Sequence, residues 1–455
     1  MKSLNATISA GGSVNGTVVV PGDKSCSHRA VIFASLAQGN SNITGFLAGE
    51  DSLNTMQALQ SMGVVIKRHG DSALSIEGVG LNGLAAPDKP IYMGNAGTGM
   101  RLIAGILAAQ SFATEVTGDE SLSRRPMGRI IKPLRQMGAR VAGDEQDRPP
   151  LKFSPVEAIQ AMHYDLPMAS AQVKSCVLLA GLYADGVTSV TEPAPTRDHT
   201  ERMLRAFGYS VESHREGQGN DQINGQGSEG NSQVSTISLQ GNGVLRGCDL
   251  TIPADISSAA FIMVAASIAN NANVTLKGVG VNPTRTGVID ILQLMGADIT
   301  LTNERLAGDE PIADIQVKSA ELNGIDVPEH LVPLAIDELP VVFIAAAAAN
   351  GITRVTGAQE LRVKESDRIA SMAEGLEAIG VQAKATDDGM IVHGSPIRGG
   401  VVETHFDHRI AMSFCIAALR STDPIVVKDA QHIDTSFPGF FRLITELGMS
   451  VDLTA

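Results

Sequence analysis

The chain has 455 residues, of which 43% are hydrophobic, 18% charged and 4% aromatic, with no tryptophan. That length exceeds one ordinary core and predicts two domains of about 200 residues each. A formal net charge of −14 disfavours nucleic acid as a partner, and so few aromatic rings argue against a stacking platform for single strands.

The four cysteines, Cys26, Cys176, Cys248 and Cys415, are far apart and form no CxxC pair. They are expected as buried small hydrophobes, with no disulfide or metal framework. The N-terminus MKSLNATISAGG has no apolar signal segment, and the longest apolar run, near Val341 to Ala349, falls well short of the ~20 residues of a membrane helix. A soluble, cytoplasmic chain without a membrane partner is expected.

In chain order, ATISAGGSVNGTVVV reads as a strand pair with no helix before it. From there one pattern recurs six times. Helices rich in Ala, Leu and Val begin at DKSCSHRAVIF, NAGTGMRLIAG, SAQVKSCVLLA, ADISSAAFIMV, IDELPVVFIAA and DHRIAMSFCIA, each followed by a short β-like run. A second, amphipathic helix then ends at Gly63, Gly138, Gly208, Gly296, Gly380 or Gly448, where a left-handed C-cap turns the chain into another strand. After Gly448 only MSVDLTA remains, so the sixth unit lacks its last strand, and the N-terminal strand is expected to complete it. The fold class is therefore α/β (α+β), with three repeats in each of two domains. Residues 1–20 plus 254–455 form one domain, residues 21–253 the other, and the site is expected in a cleft between them. Residues 212–236, crowded with Gly, Asn, Gln and Ser, read as a solvated hairpin extension.

The unusual residues gather at the starts of the apolar helices, where free N–H groups and the helix dipole favour anions. PGDKSCSHR offers Lys24, Ser25 and Arg29, and GNAGTGMR is a glycine-rich turn holding Asn95 and Gly97. SLSRRPMGR adds Arg124, Arg125 and Arg129, ASAQVKS adds Ser170 and Gln172, and TRDH adds Arg197. In the second half stand Asp337 and Glu338 of IDELP, Lys364, Glu365 and Arg368 of LRVKESDR, and Asp407, His408 and Arg409 of DHR. Alone, GNAGTGMR reads more readily as a tight turn, and PGDKSCSHR and SLSRRPMGR read equally well as an ordinary cap and a solvated basic face, respectively. Jointly, cations from both halves with carboxylates among them suit two small anionic substrates and a proton-transfer step.

PGDKSCSHRA, GNAGTGMRL, RPMGR, MASAQVKS, TRDHTE, IDE, LRVKESDR, DHRIAMS and SFP occur in the order seen in the 5-enolpyruvylshikimate-3-phosphate synthase family, and the chain resembles its class II bacterial branch nearly end to end. The resemblance implies two domains of three βαβαββ units each, with helices buried inside. It implies transfer of the enolpyruvyl group of phosphoenolpyruvate to the 5-hydroxyl of shikimate 3-phosphate, through a tetrahedral ketal, in aromatic amino-acid biosynthesis. No metal or organic cofactor is implied, and a monomer is expected.

By motif, the family's roles fall on this sequence as follows. Lys24 contacts both substrates. Ser25, Arg29, Ser170, Gln172, Arg197, Asp337 and Lys364 hold shikimate 3-phosphate. Asn95, Gly97, Arg125, Gln172, Arg368 and Arg409 hold phosphoenolpyruvate. Asp337 is the expected general base and Glu365 the proton donor to the methylene carbon, with Lys24 the third catalytic residue. Class I members carry Lys where this chain has Thr435, which predicts one cation fewer around phosphoenolpyruvate. The sister UDP-N-acetylglucosamine enolpyruvyl transferases usually carry Cys in the loop corresponding to Gly118–Gly128, which here has none. The family's inhibitor glyphosate occupies the phosphoenolpyruvate site, and Gly97, where tolerant class II members often have Ala, implies sensitivity.

Overall fold

A computed structural model describes residues 4–215 and 234–454. The chain divides into two compact units, residues 1–23 with 253–455 and residues 24–252. Each has its own hydrophobic core. The division lies a few residues inside the expected boundaries because the crossing segments are tied together at their roots. Asp23 N donates to the Pro253 carbonyl at 2.8 Å, and Asp255 N to the Pro21 carbonyl at 2.9 Å.

The six apolar segments form the inner helices. In the unit of residues 24–252 they are Lys24–Leu36, Gly97–Leu107 and Ala171–Gly181; in the other they are Ile256–Ile268, Leu339–Ala348 and His408–Ala417. A helix apolar on every side has no face to give to water and must lie inside. Accordingly every residue of Ile256–Ile268 and His408–Ala417 is buried. Polar residues within them are satisfied locally. Ser35, Ser175, Ser267 and Ser413 each donate the hydroxyl to the carbonyl four residues back, at 2.7–2.8 Å. Gly105 marks a close approach, since a Cβ there would stand 2.3 Å from the Cys176 carbonyl oxygen.

The outer helices, Glu50–Ser61, Gly128–Gln136, His199–Ala206, Gly287–Leu294, Arg368–Ala378 and Phe440–Leu447, each end at the expected glycine. All six glycines have positive φ, from 77° to 114°.

Each repeat builds one sheet, giving six among the described residues. The second repeat shows the plan. Ile91–Tyr92 runs parallel to Thr114–Thr117 across the inner helix, and Thr114–Thr117 pairs antiparallel with Leu151–Ser154, itself paired with Arg140–Ala142. The N-terminal strand Asn5–Ile8 lies between Ile425–Val427 and Val451–Thr454, completing the sixth sheet. The second N-terminal strand goes elsewhere: Asn15–Val18 pairs parallel with Asn273–Gly280 in the fourth sheet. Conversely Leu250–Thr251 pairs parallel with Gln38–Thr44 in the first. The two crossing strands are thus exchanged, each serving the unit the chain is leaving.

Strands Glu212–Arg215 and Ser235–Gln240 pair antiparallel and frame the expected hairpin extension, whose residues 216–233 lie outside the described residues. The four cysteines are free thiols; Cys248 is only half-buried, because it precedes the edge strand Leu250–Thr251. Among the described residues no helix is long and apolar enough to cross a membrane.

Candidate active site

In the unit of residues 24–252, the expected residues other than Arg197 sit at or beside the starts of its three inner helices. Lys24 opens the first, and its Nζ pairs with Asp51 Oδ2 at 3.1 Å, both side chains largely buried. The first turn of Glu50–Ser61 supplies that carboxylate. Arg29, one turn on, is buried. Its Nε donates to Thr200 Oγ1 at 2.7 Å, its Nη2 to Ser175 Oγ at 2.9 Å and its Nη1 to the Ser25 carbonyl at 3.1 Å. Arg29 therefore braces the Ser25 turn.

Gly97 is the first residue of the second inner helix. A Cβ there would lie 3.0 Å from Arg125 Nη1, 3.2 Å from Arg101 Nη1 and 3.5 Å from Leu122 Cδ1. The glycine exists to let two guanidinium groups close over the helix start. Arg125 Nη2 donates to Asn95 Oδ1 and, at 3.4 Å, to Ser121 Oγ; Asn95 Nδ2 in turn donates to Asp119 Oδ2 at 2.9 Å. Asp119 also caps the short helix Glu120–Ser123, fixing the loop that carries Arg125. Arg101 Nη1 donates to Gln172 Oε1 at 2.8 Å, and Gln172 Nε2 to Thr98 Oγ1 at 2.9 Å. Ser170 caps the third inner helix through Val173 N. Asn95, Gly97, Arg125 and Gln172 therefore form one connected cluster, with Arg101 as its link. Partial burial and the charges of Asp51 and Asp119 push the Glu50 carboxyl above its ordinary pKa at the cluster's acidic rim. Arg197 lies half-buried in the segment before His199–Ala206, while Arg124 is an exposed partner of Glu120.

The second cluster, in the other unit, centres on Arg368, the first residue of the helix Arg368–Ala378 and only 1% exposed. Its Nη2 meets Glu365 Oε2 at 2.6 Å, its Nε meets Asp407 Oδ2 at 2.8 Å and its Nη1 meets Asp337 Oδ1 at 3.4 Å. Burial alone would penalise the guanidinium charge, but Asp407 first, then Glu365 and Asp337, outweigh it and raise the pKa above the ordinary arginine value. Lys364 Nζ shares Asp337 Oδ1 at 3.3 Å and also pairs with Glu360 at 2.5 Å. Arg409 Nη1 donates to the Asp337 carbonyl at 2.8 Å. Asp337, Lys364, Glu365, Arg368 and Arg409 are thus brought together.

Beneath them Glu338 is buried against Arg285, whose Nη1 also reaches Asp23 and whose Nη2 donates to Ser257 Oγ at 2.7 Å. Asp255, the cap of Ile256–Ile268, is pushed up by burial and by Asp23, against Arg285 and Arg409. Thr435 ends the 3₁₀ helix Ala430–Thr435, its hydroxyl donating to the His432 carbonyl at 2.7 Å.

Sequence reasoning left Arg101, Asp51, Asp119, Arg285 and Asp407 without a role. Arg101 and Asp407 lie inside recognised motifs. Asp407 was readable as a cap for His408–Ala417, which it is through Arg409 N at 2.9 Å; its hold on Arg368 is a tertiary contact.

The fold is that of the enolpyruvyl transferases. The solved enolpyruvyl transferase NikO from Streptomyces tendae superposes with a TM-score of 0.75 over 99% of both chains at 16% identity. The chain belongs to the EPSP synthase (3-phosphoshikimate 1-carboxyvinyltransferase) family, whose model matches residues 8–444. It is similar to the 3-phosphoshikimate 1-carboxyvinyltransferase of Hydrogenovibrio crunogenus, 52% identical over 451 residues, 99% of this chain and 98% of that one. The counterpart in Methylococcus capsulatus is 51% identical over 453 residues, covering 100% and 99%. The solved EPSP synthase from Acinetobacter baumannii has a TM-score of 0.87 at 51% identity, with 100% of both chains covered.

Proposed function

We propose that the chain transfers the carboxyvinyl group of phosphoenolpyruvate to the 5-hydroxyl of shikimate 3-phosphate, and that both clusters serve this one substrate pair. The observation that carries the reading is Arg368, a buried cation with two carboxylates, Asp337 and Glu365, on separate guanidinium nitrogens. One arginine thereby sets an acid and a base at fixed separation beside a site for an anion.

In this reading Glu365 gives a proton to C3 of phosphoenolpyruvate, leaving C2 cationic. The 5-hydroxyl attacks C2 as Asp337 takes its proton, and the new C–O bond gives the tetrahedral ketal. The Glu365 carboxylate then takes a proton back from C3, the C2–O bond to phosphate breaks to release phosphate, and the C2–C3 double bond returns. Arg125, Arg368 and Arg409, with Lys24, Asn95, Gly97 and Gln172, hold phosphoenolpyruvate, and arginine forks fix carboxylate and phosphate better than point charges do. Lys24, Ser25, Arg29, Ser170, Gln172, Arg197, Asp337 and Lys364 hold shikimate 3-phosphate. Proton transfer supplies all the activation, so the proposed reaction requires no metal or organic cofactor.

A phosphate-release assay tests this. Release is expected only with both substrates present, in step with the enol-ether product; release without shikimate 3-phosphate, or none with both, refutes the reading. Action as a cytoplasmic monomer belongs to the same proposal, and light scattering giving twice the chain mass would overturn that part.

A further inference from the structure

Lys174 is an anomaly. It lies in the inner helix Ala171–Gly181, its side chain only 1% exposed, two positions after Gln172. Its Nζ meets Glu201 Oε1 at 2.7 Å and Glu192 Oε2 at 3.0 Å, both glutamates 4% exposed. Burial would strip the ammonium of its charge, but Glu201 and then Glu192 outweigh it and hold the pKa above the ordinary lysine value. A buried triad of this kind contributes little net stability against an apolar replacement, so stability does not explain it. What its members touch does.

Glu192 ends the strand Val187–Glu192. Its Oε2 accepts the Thr196 hydroxyl at 2.6 Å, and its Oε1 accepts Thr196 N at 3.3 Å and Ser235 Oγ at 3.2 Å. The chain from 193 to 198 has neither helix nor strand, and Thr196 immediately precedes Arg197. On the other side, Ser175 and Thr200, the chain neighbours of Lys174 and Glu201, share a hydroxyl bond of 2.7 Å and both accept from Arg29.

We propose that the Lys174–Glu192–Glu201 triad is a positioning device for shikimate 3-phosphate. Glu192 clamps Thr196 and so aims Arg197, while the helix positions flanking the triad aim Arg29. Lys174, 3.0 Å from Glu192 Oε2, fixes the clamping carboxylate; Gln172 lies on the same helix, which Ser170 caps. The inference rests on the reading that Arg197 and Arg29 hold this substrate. It makes Lys174, Glu192, Glu201 and Thr196 specificity elements that touch no substrate themselves.

Replacing Lys174 would strand two buried carboxylates and unfold the unit, so the test falls on Thr196. Thr196→Val removes the hydroxyl at nearly constant volume. Steady-state kinetics of Thr196→Val, Thr196→Ser, Arg197→Met and the double variant Thr196→Val/Arg197→Met are compared for both substrates. The loss of one charge-assisted hydrogen bond should raise KM for shikimate 3-phosphate roughly tenfold in Thr196→Val. KM for phosphoenolpyruvate and kcat should stay within about twofold, Thr196→Ser should restore the wild-type value, and Thr196→Val should add nothing once Arg197 is Met. If Arg197→Met raises that KM but Thr196→Val does not, the positioning inference fails and the role of Arg197 stands. If Arg197→Met changes nothing, the underlying reading fails and the inference with it. Equal changes in both KM values, or additive effects in the double variant, would mark a general structural loss and also overturn it.

Discussion

Gly97→Ala is the sharpest probe of the first cluster, because the geometry states what one methyl group meets. The new carbon would stand 3.0 Å from Arg125 Nη1 and 3.2 Å from Arg101 Nη1, while Leu122 at 3.5 Å is already in ordinary contact. The strain therefore falls on the two guanidinium groups, which must retreat by a few tenths of an ångström. Both are tethered, Arg125 to Asn95 and Ser121, Arg101 to Gln172. Weakening charge-assisted bonds of this kind costs about 1–2 kcal/mol, a factor of roughly 5–30 in binding. KM for phosphoenolpyruvate should rise by about tenfold. The inhibition constant for glyphosate, which the family resemblance implies is a longer occupant of the same space, should rise by more, since steric exclusion discriminates by length. Helix stability should not suffer, because alanine exceeds glycine in helix propensity by ~1 kcal/mol. The assay is steady-state kinetics with competitive inhibition on both proteins, beside a thermal melt. An unchanged KM for phosphoenolpyruvate refutes the geometric argument. A wild type that already resists millimolar glyphosate, or an alanine variant no more tolerant, refutes the steric one.

Asp337→Asn should lower kcat by on the order of 10² or more while substrate affinities stay within about tenfold; near-normal turnover would remove Asp337 as the base. Asp407→Asn should destabilise its unit by about 3–5 kcal/mol, because it leaves Arg368 short of a buried partner. Asp407 is pushed up by burial, but Arg368 outweighs this and leaves its folded pKa below the ordinary value. A depressed carboxyl stabilises above its unfolded pKa and loses that stability as pH falls through the folded one, so the gap between denaturant melts of the two proteins should begin to narrow below roughly pH 4 and keep narrowing as the pH falls further. A gap that stays the same size as the pH is lowered through that range would contradict the assignment. Ser170→Ala and Lys364→Met, in different units, should each raise KM for shikimate 3-phosphate at least severalfold, and insensitivity to either would confine that substrate to the other unit.

What the sequence disclosed, and what it hid, follow from the range of the forces involved. The inner helices were legible because Ile256–Ile268 and Leu339–Ala348 are apolar on every face, which only an interior tolerates. The outer helices were legible at their ends, because a C-cap glycine such as Gly63 with φ of 92° answers a local backbone demand. The exchange of Asn15–Val18 and Leu250–Thr251 was not legible, since strand pairing is chosen by partners more than 200 residues away. The candidate site divides in the same way. Lys24, Gly97, Ser170 and Arg409 announce themselves at helix starts. The groups that orient the cations do not: Asp51 for Lys24, Asp119 through Asn95 for Arg125 and the Lys174 triad for Arg197 sit on other elements and look like ordinary surface charge in the sequence, while Asp407 was legible as a cap but not as the partner of Arg368. Two of these four supports, Asp51 and Asp407, are carboxylates set directly against a cation. An enzyme that must bind two anions gathers positive charge at adjacent helix starts, and that charge repels itself when the site is empty. Asp51, 3.1 Å from Lys24, and Asp407, 2.8 Å from Arg368, offset that repulsion and hold the two cations in place.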